Sequence, residues 1–71
     1  MEITYDGRVD AMYIKFQKGK FKRTLKLKHG IHMDLSQDDK ILGIEILDAS
    51  EKISLKNIGH IGIDLPVAKV G

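Results

Sequence analysis

The chain has 71 residues, no cysteine and a formal net charge of +2. A chain this short folds as one domain with a small hydrophobic core, which leaves its stability marginal without additional support. Disulfides and thiolate metal sites are excluded as that support, so we expect a homo-oligomer. No apolar run approaches the roughly 20 residues of a membrane span. The N-terminus lacks a signal-peptide pattern, and the sequence therefore predicts a cytoplasmic protein.

Charge is segregated along the chain. The charged residues of segment 15–28 are lysines and one arginine, with no acid among them. The charged residues of segment 34–51 are all acidic except for Lys40. Such asymmetry can steer a partner of opposite charge, and it also makes the molecule complementary to its own copies.

Alternating apolar and polar residues predict five strands, and the segments between them contain glycine or aspartate at positions typical of turns. Hairpin-length turns favour antiparallel pairing of neighbouring strands. The last segment, ILGIEIL, is apolar on both faces, which predicts a central strand or one covered on both sides. The predicted strands are residues 2–5, 11–16, 21–28, 31–35 and 41–47.

After the strands the apolar spacing changes to three and four residues, which predicts a short amphipathic helix over residues 50–58, capped by Asp48 or Ser50. The alternating segment 61–65 then predicts either an extra edge strand or an arm packed on a second subunit. The predicted fold class is α+β. It is an antiparallel β-meander of four to five strands with one short C-terminal helix on a face, in a single domain of residues 1–71.

Three segments carry a resemblance to a known family. ITYD at 3–6, DAMYIKF at 10–16 and GIHMDLSQDDKILGIEILDAS at 30–50 resemble the pattern of small prokaryotic proteins called domain of unknown function 2283. The resemblance covers roughly residues 1–52 and leaves 53–71 as a variable segment. It implies a small β-rich domain with a helix and without an assigned activity. Members that lie beside toxin-like genes imply an antitoxin-like or partner-binding role.

The basic segment 15–28, predicted to form a hairpin, is the strongest candidate binding site. It departs from the family, whose members are often acidic there. A two-stranded ribbon fits the major groove of DNA, and clustered cations bind phosphates with little sequence preference. The competing interpretation is an edge strand whose lysines prevent sheet-to-sheet aggregation. The residues predicted to contact nucleic acid are Lys18, Lys20, Lys22, Arg23, Lys26 and Lys28.

Carboxylates are the next candidates. Glu45 and Asp48 lie three positions apart, so in a strand they point to opposite faces and cannot act as an acid–base pair. The preferred interpretation is that Glu45 is an outward strand residue and that Asp48 caps the helix. Asp6 and Asp10 could bind a cation together with Asp48, but turn chemistry accounts for both of them.

Histidines give a similarly weak signal. His32 and Asp34 share a strand face, and His29 lies nearby, but no recognised metal-binding spacing is present. We therefore predict no catalytic residue, no metal site and no cofactor. The first functional hypothesis is a protein-interaction module that forms homo-oligomers. The second is a nucleic-acid-binding protein, and the third is a metal-assisted enzyme that uses Asp6, Asp10, His32 or Asp34.

Overall fold

A computed structural model describes residues 1–58 of the chain. The antiparallel α+β architecture with a short C-terminal helical segment is confirmed, while the predicted strand at 61–65 lies outside the described residues. Within residues 1–58 no helix is long and apolar enough to cross a membrane. The strands are β1 (Glu2–Asp6), β2 (Ala11–Lys15), β3 (Phe21–Lys26), β4 (Ile31–Ser36) and β5 (Ile41–Leu47), and the helices are α1 (Ala49–Lys52) and α2 (Leu55–Ile58).

The five strands form one antiparallel sheet in the order β1-β2-β5-β4-β3. β5 is central, as predicted from its apolar residues on both faces. The order departs from a continuous meander at one step, because the chain leaves β2 and crosses the end of the sheet to begin β3 at the far edge. We call residues 16–20 the crossover. The backbone N–H groups of Phe16 and Gln17 donate to the Leu42 carbonyl at 2.8 and 3.4 Å, which ties the crossover to the start of β5.

One face of the sheet is apolar across all five strands, because the register places one apolar residue of each strand in the same row. Helix α1 covers the β1–β2–β5 part of this face. There Ala49 is fully buried, Met12 is 2% exposed and Ile46 is 9% exposed. The cluster under α1 therefore lies to one side of the sheet, and β3 lies beyond it, although Leu35 of β4 and Leu42 of β5 are also buried. The row consists of Ile3, Ile14, Ile44, Met33 and Leu25.

The helical segment differs from the single helix predicted over 50–58. Ile53 is extended, with φ −133° and ψ 129°, so α1 ends after one turn and α2 begins at Leu55. Packing explains the break, since Ile53 contacts the core cluster and its N–H donates to the Ala49 carbonyl at 2.8 Å. Asp48 occupies the N-cap position in a left-handed conformation with φ 50°, but its side chain makes no capping bond. The prediction that Asp48 or Ser50 caps the helix by its own side chain is therefore wrong.

Strand β3 ends at Lys26, two residues earlier than predicted. A 3-10 turn at Lys28–Gly30 follows, in which His29 and Gly30 have φ of 63° and 72°. Two successive residues with positive φ reverse the chain direction. Lys28 is the first residue of this turn and is therefore not part of the strand.

Candidate functional site

Strand β3 is an edge of the sheet and pairs with β4 alone among the described residues. All six of its residues are exposed. An edge strand directs part of its backbone N–H and C=O groups outward, where they can pair with another strand. Thr24 and Lys26 lie opposite Asp34 and His32, and Leu25 lies opposite Met33, so the edge has one polar and one apolar side.

The structure distributes the predicted nucleic-acid-binding residues over three adjoining segments, all at or beside β3. Lys18 and Lys20 are in the crossover, Lys22, Arg23 and Lys26 are in β3, and Lys28 is in the 3-10 turn. All of them are exposed. The prediction that the basic segment 15–28 forms a hairpin is wrong, because β2 pairs with β1 and β5 whereas β3 pairs with β4. Lys28 lies beyond the end of β3, and the pairing register shifts between Phe21 and Arg23.

Arg23 differs from the lysines around it. Its Nη2 atom lies 3.5 Å from Oδ1 of Asp39 in an exposed ion pair. Among the ion pairs of residues 1–58, none involves a lysine of the crossover, of β3 or of the 3-10 turn. Among residues 1–58, the positive charges of this edge that have no carboxylate partner are therefore those of its lysines.

Apolar side chains accompany this charge. Phe21 is 57% exposed, Leu25 38% and Leu27 47%. Leu25 ends the apolar row of the sheet, and Leu27 follows where its N–H donates to the Ile31 carbonyl at 2.7 Å. The β3 edge thus combines unpaired strand backbone, lysines and apolar side chains in one exposed surface.

The polar face of the sheet holds a hydrogen-bonded cluster beside this edge. Asp34 accepts from the Tyr13 hydroxyl at 2.9 Å and from the Thr24 hydroxyl at 2.6 Å. Partial burial and the bond to Asp34 raise the pKa of Tyr13. Tyr13 reaches Asp34 by crossing Gly43, where a β-carbon would lie 2.2 Å from the hydroxyl. The cluster therefore links β2 and β3 to Asp34 of β4, across Gly43 of β5.

Glu45 and His32 form a second pair on the polar face, with Oε1 and Nδ1 3.3 Å apart. This arrangement agrees with the interpretation of Glu45 as an outward strand residue. Asp34 accepts hydrogen bonds from two hydroxyl groups, and the trio of His29, His32 and Asp34 that the sequence analysis set aside is not assembled. In the part of the chain that the structure describes, no three His, Asp or Glu side chains are grouped to hold a metal.

Asp10 is the residue that sequence reasoning undervalued. Its carboxylate accepts from the Ser50 N–H at 3.1 Å, the Ser50 hydroxyl at 2.7 Å and the Tyr5 hydroxyl at 2.7 Å. Asp10 thereby caps α1 from the β1–β2 turn. Hydrogen bonds from Ser50 and then from Tyr5 lower the pKa of Asp10. This contact joins the segment DAMYIKF at 10–16 to the end of the segment 30–50, and it gives both a structural role.

Asp6 is engaged separately. It accepts from the Arg8 backbone N–H at 3.0 Å, and its Oδ2 lies 3.1 Å from Arg8 Nη2. The side-chain hydrogen bond from Arg8 is the main cause of its lowered pKa. Asp6 thus serves a turn and Asp10 caps α1, and the alternative cation site at Asp6, Asp10 and Asp48 is not formed.

A depression of about 380 Å³ opens where the crossover meets the polar face. Gly19 allows the crossover to approach β5, because a β-carbon there would lie 2.5 Å from Leu42 Cδ2. The lining combines an aromatic ring, two ammonium groups and the hydroxyl of Tyr13. The lining residues are Tyr13, Lys15, Gln17, Lys18, Gly19, Phe21, Asp34 and Leu42.

Fold and site together define a small antiparallel-sheet domain whose β3 edge is basic and exposed. The chain belongs to the family described as protein of unknown function (DUF2283), whose model matches residues 2–50. It is also 37% identical over 51 residues to a putative hypoxanthine phosphoribosyltransferase of Methanosarcina mazei. That match covers 72% of this chain, and the chain spans 41% of that relative's length. No solved structure matches the chain.

Proposed function

We propose that this protein is a protein-interaction module that binds a partner strand along the β3 edge. The observation that carries the proposal is the exposure of all six β3 residues on an edge that also presents apolar side chains. Strand addition at a sheet edge gives affinity through backbone hydrogen bonds, while alternate side chains give specificity. Lysines on β3 select a partner segment in which acidic and apolar residues alternate.

Self-association is part of this proposal. The buried cluster of Met12, Ile46 and Ala49 is small for a chain of this length, and association is a common remedy. The antitoxin-like role implied by the family resemblance is a special case, in which the bound partner is inhibited. The proposed compartment is the cytoplasm, in keeping with the cysteine-free sequence.

The role we propose is not enzymatic. The carboxylates that could have supplied acid–base chemistry are hydrogen-bonded in structural positions, Asp10 at the α1 cap and Asp34 beneath two hydroxyls. The activity in the name of the Methanosarcina mazei protein belongs to a chain of which this one spans 41%. We therefore do not extend that activity to this protein.

Affinity capture from native lysate tests the β3 edge. Leu25→Lys removes an apolar contact of the edge, and Val9→Lys makes the same change at a 65% exposed turn residue as a matched control. We expect a protein partner that resists nuclease, is retained by Val9→Lys and falls about tenfold with Leu25→Lys, since a lysine cannot replace the lost apolar contact. Equal capture by both variants would contradict the proposal.

Nucleic-acid binding is the second candidate, and the lysines without ion pairs in residues 1–58 favour it. The adjoining polar face carries Asp34 and Glu45, which lowers the positive charge on that side of the edge. If capture yields only nuclease-sensitive material, the same lysines should give an affinity that falls steeply with salt. Lys22→Gln and Lys26→Gln would then weaken binding, and that outcome would replace the first proposal.

A further inference from the structure

We propose that the partner strand for β3 is β1 of a second copy of this chain, so that copies associate head to tail through opposite edges of the sheet. This inference rests on the proposed function of β3 and names its occupant. β1 is the other edge strand and pairs with β2 alone among the described residues. The two edges are different surfaces, and their union leaves one free edge of each kind at the ends of the assembly.

Charge favours this pairing over the symmetric ones. β1 carries Glu2 and Asp6, whereas β3 carries Lys22, Arg23 and Lys26. Two copies of β3 would bring lysines together, and two copies of β1 would bring carboxylates together. Like charges opposite each other destabilise a strand pair, whereas opposite charges stabilise it. The lysines thus discourage β3 from pairing with itself and leave it open to β1.

The direction of the strands permits a continuous sheet. Four successive antiparallel pairings mean that β1 and β3 run the same way within one copy. If the next copy keeps its apolar face on the same side, its β1 must lie parallel to β3. The apolar row then continues across the junction, because Leu25 at one end and Ile3 at the other occupy the same face.

One register satisfies both the apolar and the charged positions. Placing Tyr5 beside Leu25 puts Asp6 beside Lys26 at the same offset along the chain. Glu2 then comes near Lys22, at the irregularity between Phe21 and Arg23. Tyr5 is 40% exposed and Leu25 is 38% exposed, so both have apolar surface to bury. Asp6 already contacts Arg8 at 3.1 Å, and Lys26 would be its second cation.

The symmetry of the assembly follows from the use of two different edges. A head-to-tail interface is heterologous, so repeated rotation either closes into a ring or continues as a filament. A dimer formed by β3 with β3 would instead be isologous and would stop at two copies. The stoichiometry therefore distinguishes the two modes.

A charge-swap experiment by sedimentation velocity tests the inference on purified protein. The first variant carries Lys22→Glu and Lys26→Glu, and the second carries Glu2→Lys and Thr4→Lys, which leaves the Asp6 turn intact. Each variant alone juxtaposes like charges, so we expect association about tenfold or more weaker than wild type. Mixing the two provides a wild-type junction, between β1 of the first variant and β3 of the second, and should restore association of one copy of each.

Glu51→Lys in α1 is the control for charge change away from both edges and should associate like wild type. Circular dichroism of each variant checks that it is folded. Wild-type protein that stays monomeric at high concentration, or variants that associate alone as wild type does, would overturn the inference. If Leu25-dependent capture of another protein persists while the purified chain is monomeric, this inference fails and the proposed function stands.

Discussion

At the scale of single residues, Gly43 and Asp10 explain more of the structure than any exposed lysine. Gly43 is the one position in the middle of the sheet where Tyr13 can cross to Asp34. Asp10 joins the β1–β2 turn to the start of α1 across 40 positions of sequence. Both belong to the matched family region and serve the fold directly.

Gly43→Ala should destabilise the protein by about 1–3 kcal/mol, the usual cost of forcing atoms into a packed site. The new β-carbon would lie 2.2 Å from the Tyr13 hydroxyl and 2.8 Å from the Ile14 carbonyl, so a side-chain shift alone cannot relieve it. Urea unfolding measures the change. Gly7→Ala is the matched control, because its β-carbon meets only Tyr5 Cε2 at 3.5 Å. Equal stability of the two variants would show that Tyr13 does not depend on Gly43.

Asp10→Asn should reduce the loss of stability on acidification. A carboxyl whose pKa is lower in the folded protein stabilises it above the unfolded pKa, near ~3.9, and that contribution is lost as pH falls through the folded pKa. Because the pKa of Asp10 is lowered by Ser50 and Tyr5, wild type should lose stability below pH ~4 more steeply than the variant.

Thermal unfolding between pH 2 and 7 measures this difference. Glu51→Gln, which also removes one negative charge, is the control. Asparagine tolerates the left-handed conformation of residue 10, where φ is 52°, so backbone strain should not confuse the comparison. Parallel pH curves for wild type and Asp10→Asn would contradict the role assigned to Asp10.

At the scale of elements, the sequence predicts most of the fold because strand alternation is a local signal. Four to five strands were expected, and residues 1–58 contain five. The doubly apolar β5 was expected to be central or covered on both faces, and it is central. Strand order was not predictable in full, since alternation shows which face a residue occupies and not which strand lies beside it. The Asp10–Ser50 contact was missed for a related reason. Asp10 and Ser50 are 40 positions apart, and a contact over that separation produces no periodic pattern in the sequence.

The candidate site was predicted in part. A lysine-rich segment correctly indicated an edge strand, and the structure places that strand at the end of the sheet. The exposure of Phe21 and Leu25 could not be read from the sequence, because the same alternation is typical of a strand whose apolar side is buried. Only the position of α1 over the other half of the sheet shows that β3 lies beyond the core.

Amide hydrogen exchange at high dilution should show slow exchange in β5 and fast exchange in β3. β5 is hydrogen-bonded on both sides, whereas β3 is bonded on one side and fully exposed. We expect the slowest β5 amides to exchange at least about 100-fold more slowly than the outward amides of β3. If β3 is equally protected at every dilution, another part of the same chain covers it, and it is not an open binding edge.

At the scale of the whole molecule, the proposed assembly would couple stability to association. The core is one-sided, and the exposed half of the apolar face ends at Leu25 and Leu27. In the proposed assembly, pairing of β3 with β1 of a second copy would add backbone hydrogen bonds and would cover part of Leu25 at the junction. The folded state should therefore gain stability whenever association is possible, because only the folded sheet offers both edges.

The midpoint of thermal unfolding should thus rise with protein concentration. A tenfold increase above the dissociation constant should raise it by roughly 5 °C or more for a domain of this size. Calorimetry over a hundredfold concentration range measures the change. The double variant Lys22→Glu and Lys26→Glu should show a midpoint independent of concentration. A wild-type midpoint that also stays constant would indicate that folding and association are not coupled.

The central position of β5 also sets the order of events during synthesis. Two hairpins, β1 with β2 and β3 with β4, leave the ribosome before the strand that separates them in the finished sheet. Until residues 41–47 emerge, each hairpin presents an inner edge that the native protein later hides, and such edges invite wrong pairing. Among the strands of residues 1–58, the most apolar one, β5, is also the last to be synthesised. The nascent chain has to keep its hairpins apart for the time that the ribosome needs to translate β5.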